Sequence, residues 1–144
     1  AVINLFSSIG YYNEKTDKEV LTQVSSLTVP QGVLIIETKN RDWLIRHFLR
    51  RGIEYIDDDL ILIEERKLNL ENSRMENVWK YYKRRGQNLE YLDSFELDHR
   101  VYSLHELKHI VEDSGWIYQT CYDSFNLEPV QMDSNRIILV ATNL

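Results

Sequence analysis

Apolar and polar positions alternate along this chain in three different rhythms. Val2 to Phe6 is a short continuous apolar run, as in a strand buried on both faces. "SSIGYYNEKTD" follows as a loop, with Thr16 and Glu19 at capping-box spacing. Val20, Leu21, Val24 and Leu27 then recur at helical spacing and predict an amphipathic helix over 17–27. Pro30-Gln31-Gly32 stops it, and "VLIIE" (Val33 to Glu37) is a second buried strand. Strand, helix and strand in this order predict a βαβ unit with a parallel pair.

The rhythm changes after Asn40. Arg41 to Arg51 reads as a helix with Gly52 as its stop. From Leu60 to Tyr102 the chain is charged, β-branched and aromatic, and "ENS" and "RRGQN" supply turn chemistry. This predicts a three-stranded antiparallel meander, one face packed and the other wet. Ser103 and Glu106 again have capping-box spacing and open a helix that ends at Gly115. "WIYQTCYDSF" (116–125) and "RIILVAT" (136–142) are two last strands. The outer segments, 1–41 and 103–144, share α/β character, and 42–102 reads as a helix plus β insertion.

Composition narrows the functional classes. The chain has 144 residues, 43% of them apolar and 28% charged, which suits a folded globular protein. Net charge is −6, and Lys83-Arg84-Arg85 beside Gly86 reads as a solvated hairpin tip, so nucleic acid is not an expected partner. No run has the length of a membrane span, so no membrane partner is expected either. Cys121 is the single cysteine, which excludes an intrachain disulfide and suits a reducing cytoplasm. It lies in an apolar, aromatic run and reads as a packed thiol. Opening directly on a core strand, without a methionine, the chain reads as a piece of a longer protein.

His105-Glu106-Leu107-Lys108-His109 fits the H-E-x-x-H pattern of zinc hydrolases. On a helical wheel Leu104, Leu107, Ile110 and Val111 fall in one arc of about 120°. The two histidines lie opposite, away from the face that must pack, and no spacing supplies a third ligand. The expectation is a solvated helix face with no metal.

Four stretches in order carry a resemblance: "VINLFSSIGYY", "VLTQVSSLTVPQGVLIIETKNRDWL", "VYSLHELKHIVEDSGW" and "DSNRIILVATN". Together they resemble the carboxy-terminal half of class I S-adenosylmethionine-dependent methyltransferases. The likeness is to the small-molecule type with a β insertion after the fifth strand, near glycine N-methyltransferase. It implies an α/β fold: a Rossmann-like methyltransferase half-sheet with an inserted antiparallel β meander. The strands resemble the family's fourth (Val2–Phe6), fifth (Val33–Glu37), sixth (Trp116–Phe125) and seventh (Arg136–Thr142), the last antiparallel and lying between the fifth and sixth. The family's Gly-rich cofactor loop and its ribose-binding acid have no counterpart here, so the chain resembles half of an enzyme.

The resemblance also implies site residues. Asn4, Phe6, Ser7 and Ser8 match positions lining the methionine end of S-adenosylmethionine; Asn4 and the serines equally suit a tight loop that satisfies its own backbone. Gly10-Tyr11 would set a ring over the reacting centre, or pack it in the core. Lys39 matches an arginine that grips the substrate carboxylate in glycine N-methyltransferase, with Arg41 two residues on. Surface exposure is the alternative for both. Arg74, Trp79, Tyr81 and Tyr102 are candidates to face the acceptor from an insertion acting as wall or lid, with aromatic packing the alternative for Trp79. The implied partners are a small-molecule methyl acceptor and either a second copy of the chain or a missing amino-terminal segment, since Val2–Phe6 would be an open edge. The other readings are a non-catalytic binding or assembly module and the zinc hydrolase.

Overall fold

A computed structural model describes all residues, Ala1–Leu144. The chain divides into two compact units, Ala1–His47 with Arg100–Leu144, and Phe48–His99. The first unit begins with β1 (Val2–Asn4), α1 (Glu14–Leu27), β2 (Val33–Lys39) and α2 (Arg41–Arg46). The second holds β3 (Arg51–Tyr55), β4 (Leu60–Asn69), β5 (Arg74–Arg85) and the bulk of β6 (Asn88–Arg100). The chain then completes the first unit with α3 (Leu104–Glu112), β7 (Trp116–Tyr122) and β8 (Arg136–Asn143).

The first unit is a four-stranded sheet in the order β1-β2-β8-β7. β1 runs parallel to β2, while β8 is antiparallel to both β2 and β7 and lies between them. This is the order and sense that the resemblance implies. Register places Leu34 opposite Ala141 and Ile36 opposite Leu139, so these four share one face. That face packs with Leu21 of α1 and with Leu107, Ile110 and Val111 of α3 into one core. Trp116 joins it, 2% exposed, with its indole N–H donating to the Leu21 carbonyl at 3.0 Å. The opposite face carries Ile3, Val33, Ile35, Val140 and Ile117 and is only partly covered, Ile3 being 64% exposed. β1 is an edge strand.

Helix ends follow local chemistry. Ser103 and Glu106 form the expected capping box at α3, and Gly115, at φ +90°, closes the turn that follows. At α1 the cap is Asn13 instead of Thr16: its side chain accepts from the Thr16 N–H at 2.9 Å, and the helix starts three residues earlier than its apolar spacing suggests.

Two corrections concern the segment that follows β2. The helix expected over Arg41–Arg51 ends at Arg46, and Gly52 lies inside strand β3. Pairing decides this: Ile53 sits opposite Ile63 and Tyr55 opposite Ile61, contacts that no local propensity reveals. The meander therefore has four strands, in the order β3-β4-β5-β6. It also lacks the clean division into a packed and a wet face. Tyr81 and Tyr82, which point to opposite faces, each meet an aromatic ring of β6 edge-on, Phe95 and Tyr91 respectively. Ile61 and Leu62, also neighbours in sequence, are both buried.

Candidate functional site

Because β1 and β2 are parallel and β8 is antiparallel, one end of the sheet gathers the carboxyl ends of β1 and β2 and the start of β8. Phe6-Ser7-Ser8, Lys39-Asn40-Arg41 and Arg136 meet there. Such an end is where loops collect ligands in sheets of this kind.

The loop leaving β1 has an unusual backbone. The strand stops at Asn4, and Phe6 and Ser7 both take left-handed conformations, at φ +58° and +55°. For residues with a Cβ this costs about 1–2 kcal/mol each. The hydrogen bonds that compensate come from β2. The Phe6 N–H donates to Glu37 Oε2 at 2.6 Å, the Ser7 N–H to the Glu37 carbonyl at 3.2 Å, and the Lys39 N–H to Ser7 Oγ at 3.1 Å. One bond to a charged acceptor contributes about 1.5–3 kcal/mol and each neutral one about 1 kcal/mol, enough to offset the strain. Glu37 itself is 2% exposed and paired with the Arg136 guanidinium.

The expected cofactor residues are thereby distributed. Ser7 serves the loop backbone through the Lys39 amide, and Ser8 Oγ donates to the Leu5 carbonyl. Asn4 ends β1 with a buried Oδ1 that has no hydrogen-bond partner in the chain. Phe6 presents its ring to solvent, 84% exposed.

The expected acceptor residues scatter more widely. Gly10 is a crossing point: at φ +101° its carbonyl accepts from the Arg100 N–H at 2.7 Å, and a Cβ there would collide with the Arg100 carbonyl. Tyr11 is exposed beside it. The Lys39 ammonium lies 4.5 Å from the centre of the Trp43 ring. Arg41 bonds Glu106 Oε2 at 2.8 Å and pairs with Asp42 at 3.2 Å. Arg74 lies in the second unit, paired with Asp98 at 2.9 Å. Tyr102 is a correction. It is 1% exposed, and its hydroxyl donates to Asp17 Oδ2 at 2.6 Å, so it belongs to the core and not to a substrate surface. Burial first, then this hydrogen bond, pushes its pKa above the ordinary tyrosine value.

The H-E-x-x-H residues point apart. His105 and His109 are exposed and meet edge-to-face, 4.5 Å between ring centres. Glu106 turns inward, accepting from Ser103 N and Oγ, both at 2.9 Å, and pairing with Arg41 and Arg100. Burial alone would raise its pKa, but the Ser103 hydrogen bonds and the two guanidiniums outweigh burial and hold it below the usual carboxylate range. No group of three or more His, Cys, Asp or Glu side chains is assembled to hold a metal ion. Cys121 is buried, and burial pushes its thiol up to about 12, which keeps it out of the nucleophilic thiolate form.

Sequence reasoning missed Glu37 and Asp17. Each left a trace: Glu37 is a charge closing an apolar strand, and Asp17 lies on the stripe of Leu21 and Val24 at i+4 and i+7.

No family model and no curated protein sequence matches the chain. Solved structures do. An S-adenosylmethionine-dependent methyltransferase from Clostridium acetobutylicum aligns with TM-score 0.80 and 15% identity, over 98% of this chain and 56% of its own. The CcbJ methyltransferase from Streptomyces caelestis aligns with TM-score 0.84 and 14% identity, over 99% and 60%. The chain has the class I methyltransferase fold. CalS10, an amino pentose methyltransferase from Micromonospora echinaspora solved with S-adenosylmethionine bound, aligns with TM-score 0.65 and 15% identity, over 99% and 57%. The methyltransferase-like chain thus spans less than two thirds of these neighbours' lengths. No helix is long and apolar enough to cross a membrane.

Proposed function

We propose that this chain is the carboxy-terminal part of an S-adenosylmethionine-dependent methyltransferase acting on a small molecule in the cytoplasm. The observation that carries this reading is the sheet, β1-β2-β8-β7 with β8 reversed, aligning over 99% of the chain with CcbJ. The open edge at β1 and the partly covered face around Ile3 and Ile35 support a further segment seated there, contributed by the same protein or by a second copy.

The residues present fit one end of the cofactor. The orphaned Asn4 Oδ1 is an acceptor for an ammonium or hydroxyl group, and the exposed Phe6 ring offers an apolar wall. The sequence holds no Gly-rich turn for the adenosine end. When bound, the cofactor supplies an electrophilic methyl group. This chain orients the acceptor and excludes water, which is most of what an in-line displacement requires. Tyr11, Lys39 and Arg41 are the acceptor-side residues, with Lys39 and Arg41 suited to an acceptor that carries negative charge.

The test begins upstream. The natural reading frame should continue before Ala1 into a strand followed by an acidic residue and a Gly-x-Gly turn; a natural gene that begins at Ala1 sinks the enzyme reading. The 144-residue chain alone should bind S-adenosylmethionine weakly, because losing two contacts to charged groups weakens binding by about a hundredfold or more. Micromolar binding by this chain as a monomer, measured by titration calorimetry, would place the cofactor site elsewhere.

A further inference from the structure

We infer that Glu37 is a positioning residue: through the Phe6 amide it sets the conformation of the β1 loop and thereby the alignment of the methyl-transfer site, an inference that rests on the methyltransferase reading. Three observations carry it. First, Glu37 is 2% exposed at the mouth of the sheet, where a carboxylate is costly unless paired and hydrogen-bonded. Second, its two oxygens are divided between different tasks: Oε1 meets the Arg136 guanidinium, and Oε2 accepts from the Phe6 N–H at 2.6 Å. Third, the residues it holds, Phe6 and Ser7, are two of the five non-glycine residues in left-handed conformation and the one adjacent pair among them, a geometry that persists where its surroundings enforce it.

The division of labour gives the site a rigid support. Arg136 begins β8 directly opposite Lys39, so the ion pair anchors the carboxylate to the sheet and leaves Oε2 with one orientation. That orientation fixes the Phe6 amide, and the Phe6 ring follows. The Glu37 carbonyl and the Lys39 amide grip Ser7 from the same strand. β2 therefore dictates the loop of β1 through side chain and backbone together. Glu37 touches no reacting atom and acts only through the loop.

The experiment uses the natural full-length protein with Glu37→Gln, which keeps the volume, and Glu37→Ala. Two signals are read. In an amide-resolved spectrum the Phe6 N–H, bonded to a charged acceptor, should lose its downfield shift and its exchange protection in both variants. In turnover with S-adenosylmethionine and an amine acceptor, kcat should fall by about tenfold to a hundredfold, with KM for the cofactor changing much less, as expected for a misplaced but bound reactant. A variant that keeps the wild-type Phe6 amide signals overturns the inference. So does a displaced amide with kcat within twofold of wild type. No methyl transfer by the wild-type protein with any acceptor instead overturns the methyltransferase reading itself, which separates the two failures.

Discussion

Replacing Tyr102 by Phe should destabilise the protein without touching its packing. The ring stays, and only the hydroxyl goes. That hydroxyl donates to Asp17 Oδ2 at 2.6 Å, with the two residues 1% and 5% exposed. The other Asp17 oxygen has only the Gly10 N–H, at a long 3.4 Å. The variant thus leaves a buried carboxylate with one weak partner. A hydrogen bond to a charged group contributes about 1.5–3 kcal/mol, so the expected loss is about 2 kcal/mol. At a urea m value of about 2 kcal/mol/M, the midpoint falls by about 1 M. Fluorescence of Trp116, which is packed on α1, follows the transition. The pH dependence provides a second signature. Because the folded-state pKa of Tyr102 is raised, its stabilising contribution is complete below about pH 10 and is lost as pH rises through the folded value. The variant should lack that part of the alkaline decline. A midpoint shift below about 0.2 M, or an unchanged alkaline slope, would refute the reasoning.

Gly10→Ala should cost about 2 kcal/mol or more, because φ +101° and the Arg100 carbonyl both exclude a Cβ; thermal unfolding of the intact protein reads it. Glu106→Gln should flatten the acid limb of stability: the lowered pKa means that the contribution is present above about pH 4.3 and is lost as pH falls through the folded value, which denaturation at stepped pH will show. His105→Ala with His109→Ala should leave stability within about 0.5 kcal/mol and purified protein without stoichiometric zinc, as exposed side chains on a helix predict, checked by denaturation and metal analysis. Cys121 should react with a disulfide reagent at pH 8 far more slowly in the folded than in the unfolded protein, since its thiol is buried and held near 12.

The sequence by itself determined the elements whose signals are local. The apolar run at Val33, the capping box at Ser103 and the stripe of Leu107, Ile110 and Val111 each satisfy a short-range requirement, and the structure forms each where the pattern lies. The sheet order was legible only through resemblance, because hydrophobic periodicity does not say which strand lies beside which. Tertiary structure alone decided the rest. Arg51–Tyr55 became a strand because Ile63 pairs with Ile53 and Ile61 with Tyr55 across the hairpin. Glu106 left the would-be zinc motif because Arg41 and Arg100 converge on it from outside its helix. Tyr102 left the candidate site because Asp17, 85 positions distant in sequence, holds its hydroxyl in the core. Glu37 looked like the end of a strand, and its grip on Phe6 exists only because the parallel pairing brings residues 31 positions apart into hydrogen-bond contact. Periodicity records which face of an element is apolar; the partner of a buried charge is chosen by the fold, and that choice leaves no period in the sequence.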